Sequence, residues 1–394
     1  RVEIKSSVFI EEHDALLPSS GYSVVFKKGS RTMSSYRFEV ARAALGTTRV
    51  IELPALAALS PAAGEAVLTV DKFALTANNI TYGVAGDMIG YWQFFPAEGD
   101  WGQIPVWGKG TVVLENDSGL NIGDEFYGYF PMASYLIVEP VHATERGFTD
   151  GAAHRQALPG VYNNYALMTA GNGFDRQFDD HQMIYRPLFT TSFVIDDYLF
   201  DNDHFGASNI ILSSASSKTS FGLAFLLRKN RDVKVTGLTS AANKAFVESL
   251  NLYDQVVAYD ALDTLDVSEN VAFVDMAGNR QVLEALHHHF GDSMVCSCGV
   301  GITHWESRDG QPPSILPGAK PKMFFAPDQI QKRNQDWGPQ KFQAELSAAW
   351  QAFLVVVDGW VSINHRVGRG ELEETFQEVL AGAKPDQAFV VSLE

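Results

Sequence analysis

The sequence predicts a mixed α/β fold in which a doubly wound parallel sheet sits inside a chain otherwise rich in short strands. Three observations carry this. Apolar runs alternate with helical stretches at regular spacing between residues 209 and 298, the pattern of a parallel sheet with crossover helices. The first of those runs passes through a serine-rich turn straight into an apolar helix start. Most of the chain before about Ala166 consists instead of brief apolar runs broken by Gly, Pro, Asn and Asp, which suits a partly closed β-barrel.

The early strands are expected at Ser23–Phe26, Tyr36–Val40, Arg49–Leu53, Glu65–Leu75, Thr111–Leu114 and Tyr135–Val138. A helix pattern then runs from Pro187 to Leu199. Next comes Asn209-Ile-Ile-Leu-Ser-Ser-Ala-Ser-Ser-Lys-Thr-Ser-Phe-Gly-Leu-Ala224, a strand, a turn and a helix start. Such a unit cradles a pyrophosphate on the N–H groups of the helix N-terminus. Serines replace most of the usual glycines, so Ser213, Ser214, Ser216, Ser217, Lys218 and Thr219 are the phosphate-side candidates. The Ser-Lys-Thr triplet also matches part of a triphosphate-binding loop, but the glycine scaffold such a loop requires is missing.

A second strand, Val233–Leu238, ends without the carboxylate that would accept from both ribose hydroxyls of NAD. Thr239, Ser240 and Lys244 stand there instead, two hydroxyls and a cation that suit a 2′-phosphate; they also read as a helix cap followed by a solvated lysine. A helix from Ala245 precedes a third strand ending at Tyr259. Two more buried strands follow, Asn270–Met276 before Ala277-Gly278, and Ser293–Cys298 before Gly299. Beyond Ala326 the pattern changes to a polar segment (Asp328–Asp336), a helix from Lys341 to Val356, a helical face of Leu372, Phe376, Val379 and Leu380, and a closing strand Ala388–Ser392.

Composition bounds the function. A formal net charge of −17 disfavours nucleic acid, no apolar run is long enough to span a bilayer, and two cysteines, Cys296 and Cys298, are too few for a disulfide framework and fit a reducing cytoplasm. They share one strand face and read as core. His287-His-His289 lacks the i, i+4 spacing of helical metal ligands and reads as a solvated helix end. His154 and Arg155 read equally as an anion-binding pair or as partners of the acidic surface.

Several separated motifs resemble the medium-chain dehydrogenase/reductase superfamily. Gly64–Asn79 resembles its first strand pair, Ile104-Pro-Val-Trp-Gly-Lys-Gly-Thr-Val112 its Pro-x-x-x-Gly turn, Leu120-Asn-Ile-Gly-Asp-Glu-Phe-Tyr-Gly128 its Gly-Asp strand, and Phe376–Val391 its closing helix and strand. The resemblance implies a GroES-like catalytic barrel (1–185 with 326–394) interrupted by a Rossmann domain (186–325), with the active site between them. Zinc-dependent members carry a Gly-His-Glu motif where this chain has Trp107-Gly-Lys109, and a four-cysteine loop absent here. The resemblance is therefore to the zinc-free branch of quinone and enoyl-thioester reductases, in a divergent subgroup of unknown function.

That branch implies NADPH as cofactor, with Lys244 and Tyr259 on the 2′-phosphate and Ala277 and Gly278 at the cofactor as well. It makes Asn78, Asn79, Tyr82, Tyr91 and Trp92 a substrate loop. Asn79, Tyr82 and Tyr91 are the candidates for donating to a substrate oxygen during hydride transfer; Trp92, His154 and Arg155 are the candidates for substrate binding. The expected protein is a cytoplasmic, zinc-independent NADPH reductase of an activated C=C or carbonyl in a small molecule, with a homodimer common in the resembled family. The competing expectation is a scaffold that kept the fold without the chemistry.

Overall fold

The computed structural model describes residues 34–300 and 315–393; the expected strand at Ser23–Phe26 lies outside them. The described residues begin with β1 (Tyr36–Ala41), β2 (Ala44–Glu52) and β3 (Ala66–Leu75), the short helices α1 (Ala77–Val84) and α2 (Gly86–Ile89), then β4 (Trp101–Gly102), β5 (Pro105–Glu115), β6 (Glu125–Pro131), β7 (Tyr135–Val138), β8 (Pro140–Thr144), β9 (Gly147–Asp150) and β10 (Asn164–Leu167). A long helix, α3 (Asp179–Asp201), leads to β11 (Asn209–Leu212), α4 (Lys218–Asn230), β12 (Lys234–Thr239), α5 (Lys244–Ser249), β13 (Gln255–Ala258), β14 (Val271–Asp275), α6 (Arg280–Phe290), β15 (Met294–Gly299) and β16 (Lys322–Met323). The last part forms α7 (Ala326–Asp336), α8 (Pro339–Val357), β17 (Ser362–Val367), α9 (Arg369–Leu380) and β18 (Gln387–Ser392).

Strands β11 to β16 make one parallel sheet in the order β13-β12-β11-β14-β15-β16. This is the Rossmann order, whose direction reverses between β11 and β14 and opens a crevice at their C-terminal ends. Residues Ile210, Leu212, Ala272 and Val274 are buried on one side, Ile211 and Phe273 on the other. A strand packed on both faces reads as a continuous apolar run, which is why these strands were legible.

The barrel strands run β17-β18-β3-β5-β6-β10-β9-β8, with β7 also on β3. β3 pairs β7 through its first half, β18 through its last residues and β5 along its other side. Register shifts at Val67/Leu68 and Val70/Lys72 bend it enough to serve all three, as bulges do. Phe73–Leu75 and Phe389–Val391, far apart in sequence, thus pair within one sheet. α9 seals its core, with Leu372 and Phe376 wholly buried against residues such as Phe38 and Leu75. At Gly128 a Cβ would collide with the ring of Tyr165, so only glycine lets that ring lie over β6.

Three elements differ from expectation. The helix expected from Pro187 begins two turns earlier, at Asp179, with Pro187 in its interior. The polar segment after Ala326 is α7, and its Gln329 and Arg333 are buried on Asp197 rather than solvated. His287 is not a solvated helix end. It is fully buried, bonding Ser297 Oγ at 2.9 Å and the Pro317 carbonyl at 2.8 Å. Cys296 and Cys298 are buried free thiols, as expected of core residues. No helix among the described residues is long and apolar enough to cross a membrane.

The apolar faces of α8 (Phe342, Trp350, Phe353) pack with α3 and α4 in the core beside the parallel sheet, and α7 is bolted to α3 by ions. Arg333 Nε lies 2.5 Å from Asp197 Oδ2, and both side chains are under a tenth exposed. Arg333 is also held by Asp201 at 2.8 Å and Asp336 at 3.0 Å, so losing Asp197 removes one of three charged bonds, at a cost of roughly 1.5–3 kcal/mol. Asp197→Ala is therefore expected to lower the unfolding free energy, measured by denaturant titration, by an amount in that range.

Candidate functional site

The crevice begins at the end of β11. Ser213, fully buried, donates through Oγ to Asp275 Oδ1 at 2.7 Å and accepts from the N–H groups of Met276 and Ala277 at 2.8 and 2.9 Å. Asp275 Oδ1 in turn accepts from Ala277 and Gly278 N–H at 3.1 and 3.0 Å. The loops after β11 and β14 are thus stitched together at the switch point. Ala277 and Gly278 meet Ser213 there, as does Asp275, which sequence reasoning passed over although an acid closing a buried strand was a visible signal. Burial raises the Asp275 pKa, and its hydrogen bonds work against that rise.

The serine turn is shaped by Ser214, whose φ of 47° lies in the left-handed region. Its N–H donates to the Tyr259 hydroxyl at 2.8 Å. Ser217 caps α4, accepting from Ser220 N–H at 3.2 Å. The N–H groups of Lys218 and Thr219 open the helix, where the ladder supplies no acceptor and the dipole favours an anion. Ser216 Oγ accepts from Asn243 at 3.3 Å, so the serine turn, the end of β12 and Tyr259 form one patch. Of the expected residues there, Thr239 is buried (1% exposed), Ser240 is partly exposed, and Lys244 pairs with Glu248 one turn on.

Lys218 points away from the turn to the Gln387 carbonyl of β18, 2.9 Å from Nζ. Although the residue as a whole is partly exposed, its ammonium is desolvated, and burial brings its pKa down to about 8 against weak opposition from Asp386.

The barrel side of the crevice is aromatic. Trp107 stacks on Tyr127 at 5.5 Å and donates from its indole to the Tyr82 hydroxyl at 3.2 Å. Tyr82 packs on Tyr91 at 4.5 Å, and Tyr91 and Tyr162 share a hydrogen bond of 3.1 Å. Burial lifts the Tyr82 and Tyr91 pKa values far above the ordinary phenol, so both remain protonated donors across any working pH. A tight space of about 10 Å³ lies beside Trp107, lined also by Thr76, Asn78, Asn79, Met183, Ile184 and Pro187 among others. It holds roughly one water.

The other expected residues lie apart from that space or are already engaged. Asn79 serves the fold: its Oδ1 accepts from Thr76 N–H at 2.8 Å and its Nδ2 donates to the Pro105 carbonyl at 2.9 Å. Arg155 is 1% exposed and donates to Asp150, Asn163, Tyr165 and the Tyr162 carbonyl. His154 Nε2 rests 3.2 Å from the Phe94 carbonyl oxygen. Trp92 fills the space that Gly86 and Gly102 leave by lacking a Cβ. Trp92 and His154 line a roomier cavity of about 500 Å³ with Arg42, Asp87, Gln93 and Pro96, but that cavity adjoins no strand end of the parallel sheet and is not where a dinucleotide would seat.

The architecture, a curled barrel joined to a Rossmann sheet, is similar to several solved structures. CurA from Vibrio vulnificus in complex with NADPH aligns with a TM-score of 0.59 at 12% identity, over 91% of this chain and 99% of that one. The CurF ER cyclopropanase from the curacin A biosynthetic pathway aligns at 0.56 and 12% identity, over 92% and 100%. TarJ from S. aureus in complex with NADPH aligns at 0.53 and 10% identity, over 92% and 100%. Identity this low establishes likeness of fold alone. Among curated proteins none matches in sequence. A family model described as "Protein of unknown function (DUF2855)" matches residues 73–385.

The desolvated Lys218 gives a pH test of the site's geometry. Between about pH 8 and the ordinary lysine value of 10.5 the unfolded chain keeps a proton that the folded chain has lost, so this group's contribution to stability rises with pH across that window. Lys218→Met is expected to flatten that rise in chemical denaturation measured from pH 7.5 to 10.

Proposed function

The chain belongs to the DUF2855 family of proteins of unknown function, and we propose from its site that it is an NADPH-dependent, zinc-independent oxidoreductase of the medium-chain type, reducing an activated carbon–carbon double bond or a carbonyl. The observation that carries the reading is the patch joining the serine turn, Asn243 and Tyr259 at the Rossmann switch point, reached by no carboxylate at the end of β12. A pyrophosphate fits the opening N–H groups of α4. A 2′-phosphate fits Ser240, Lys244 and Tyr259, because the exposed Lys244–Glu248 pair is weak enough to exchange for a stronger anion. Two of the structures of similar fold hold NADPH, which supports the choice of cofactor.

Zinc independence rests on the residues at the expected ligand position. Trp107 is committed to the tyrosine cluster, and Lys109 is held by Glu125 at 3.0 Å and Asp179 at 3.2 Å; an ammonium there repels a divalent cation. A nicotinamide held beside the aromatic wall would supply the hydride chemistry. Tyr82 accepts from Trp107, which aims its hydroxyl and leaves its own proton to donate to the acceptor oxygen as charge develops there. The walls of Trp107, Tyr127 and Ile184 exclude water from the transfer. On this reading the protein works in a reducing cytoplasm, and pairing through a Rossmann sheet edge is the route to a homodimer.

A second reading, a scaffold that kept the fold, is favoured by the tightness of the crevice. Fluorescence titration with NADPH, followed by turnover on a panel of enones, quinones and aldehydes, separates the two: absence of binding would remove the reductase reading. Lys244→Ala is expected to weaken NADPH by roughly tenfold or more while leaving NADH nearly unchanged, since a charged hydrogen bond contributes about 1.5–3 kcal/mol. Equal losses would refute the 2′-phosphate assignment. Tyr82→Phe is expected to lower kcat by roughly 10²-fold with NADPH affinity intact, measured in single-turnover hydride transfer.

A further inference from the structure

Arg186 stands at the middle of α3, immediately before Pro187. Its Nη1 donates to Gln182 Oε1 at 3.1 Å, and its guanidinium carbon lies 5.0 Å from the Phe174 ring centroid and 5.8 Å from that of Tyr127. Among the described residues no carboxylate comes within ion-pair distance of it. Arg186 is partly exposed as a residue, and other guanidinium groups set into the fold are served differently: Arg155 has Asp150 at 2.6 Å, Arg231 has Asp196 at 2.8 Å, and Arg333 has Asp197. A guanidinium carries five donors, and a desolvated cation without a counter-ion is costly. Burial holds the Arg186 pKa below the ordinary arginine value, with only Tyr127 acting against it.

Two neighbours are in the same condition. Gln182 Nε2 and the Tyr127 hydroxyl are buried polar atoms without a hydrogen-bond partner. Gln182 is wholly buried and already touches Arg186, while the Tyr127 ring joins Arg186 to Trp107 and so to Tyr82. These donors have too few acceptors, and Gln182 and Arg186 directly precede Met183 and Pro187, which line the tight space beside Trp107. The surroundings are flat and aromatic and hold few other donors. That suits a planar carboxylate, which accepts two parallel bonds from a guanidinium, better than a phosphate with its larger set of oxygens.

We propose that Arg186, with Gln182 and Tyr127, is the carboxylate-recognition site of the cleft, so that the substrate reduced beside Tyr82 is a small enone, enoyl or oxo compound bearing a carboxylate. The substrate class rests on the reductase reading; the anion site does not. It also moves anion recognition from Arg155, whose donors are used within the barrel, to a guanidinium that has donors to spare.

The test begins without cofactor. Tryptophan fluorescence, reporting through Trp107, is titrated with sodium benzoate and with benzamide, its neutral isostere. Benzoate is expected to saturate the wild-type signal far more tightly than benzamide. Arg186→Gln should weaken benzoate by roughly 10- to 100-fold and leave benzamide alone, and Arg186→Lys should fall between. Arg186→Gln should also melt no lower than wild type, because the charge it removes had no partner. Equal responses to benzoate and benzamide, an Arg186→Gln that keeps benzoate affinity, or one that melts far below wild type would each overturn the proposal.

With NADPH present, trans-4-oxo-2-pentenoate and its methyl ester are compared. Arg186→Gln is expected to raise KM for the acid by the same factor and to leave the ester's kcat unchanged. A kcat loss shared by acid and ester would place Arg186 on the reacting oxygen and overturn the assignment. If neither compound turns over while benzoate still requires Arg186, the carboxylate site stands and the reductase reading falls.

Discussion

One helix holds the two halves of this fold in register. The first residues of α3 are tied to the barrel, Asp179 to Lys109 at 3.2 Å and Asp180 to Lys72 at 2.6 Å. Its last turns are tied to the Rossmann layer: Ser192 donates to the Thr219 carbonyl at 2.7 Å, and Asp196 and Asp197 hold Arg231 and Arg333. Gly222 of α4 is what allows that approach, since a Cβ there would come within 2.7 Å of Ser192 Oγ. Between these anchorages sits Pro187, which denies the Met183 carbonyl its helical donor. An interior proline is tolerated because both ends of the helix are fixed independently, and the weakened turn falls where the two layers face each other across the crevice.

This arrangement explains what the sequence disclosed and what it concealed. The parallel strands were legible because each is buried on both faces and reads as an unbroken apolar run. The start of α3 was not, because proline is favoured in a first helical turn and the preceding residues, Asp179 to Arg186, are polar enough to pass for a connection. Misplacing that start by two turns left Arg186 outside any element, a lone arginine without context. His287 was misread for a related reason. Three consecutive histidines look solvated, yet helical geometry sends them in three directions, and the one facing inward found Ser297 and the Pro317 carbonyl.

The candidate site divides in the same way. The expectation of a phosphate end came from residue types, hydroxyls and a cation in place of a carboxylate, which read equally as a helix cap and a solvated lysine; the structure gathers Ser214, Ser216 and Tyr259 with Asn243, a residue that sequence reasoning did not name. The barrel end depended on which side chains spend their hydrogen bonds within the fold. Asn79 and Arg155 do so completely enough that their polarity serves the barrel, a matter of partner geometry that no single position reveals. Tyr82, by contrast, accepts from Trp107 and retains a proton to give.

Charge gives these local features their meaning. At a net charge of −17 the surface repels anions, and a polyanion gains nothing by approaching it. A small anionic ligand can still bind if it leaves that surface for a cleft where cations are desolvated and under-neutralised, because Coulomb attraction grows as the local dielectric falls. Lys218, with its depressed pKa, stands on the cofactor side of the crevice, and Arg186 stands on the barrel side. Neither has a carboxylate in contact among the described residues, while most buried cations elsewhere in the chain do. Each costs the folded state stability that neutral residues would spare it. Lys218 spends its bond on the Gln387 carbonyl and so ties α4 to β18, which leaves Arg186, bonded only to Gln182 among the described side chains, as the cation whose donors the fold does not use.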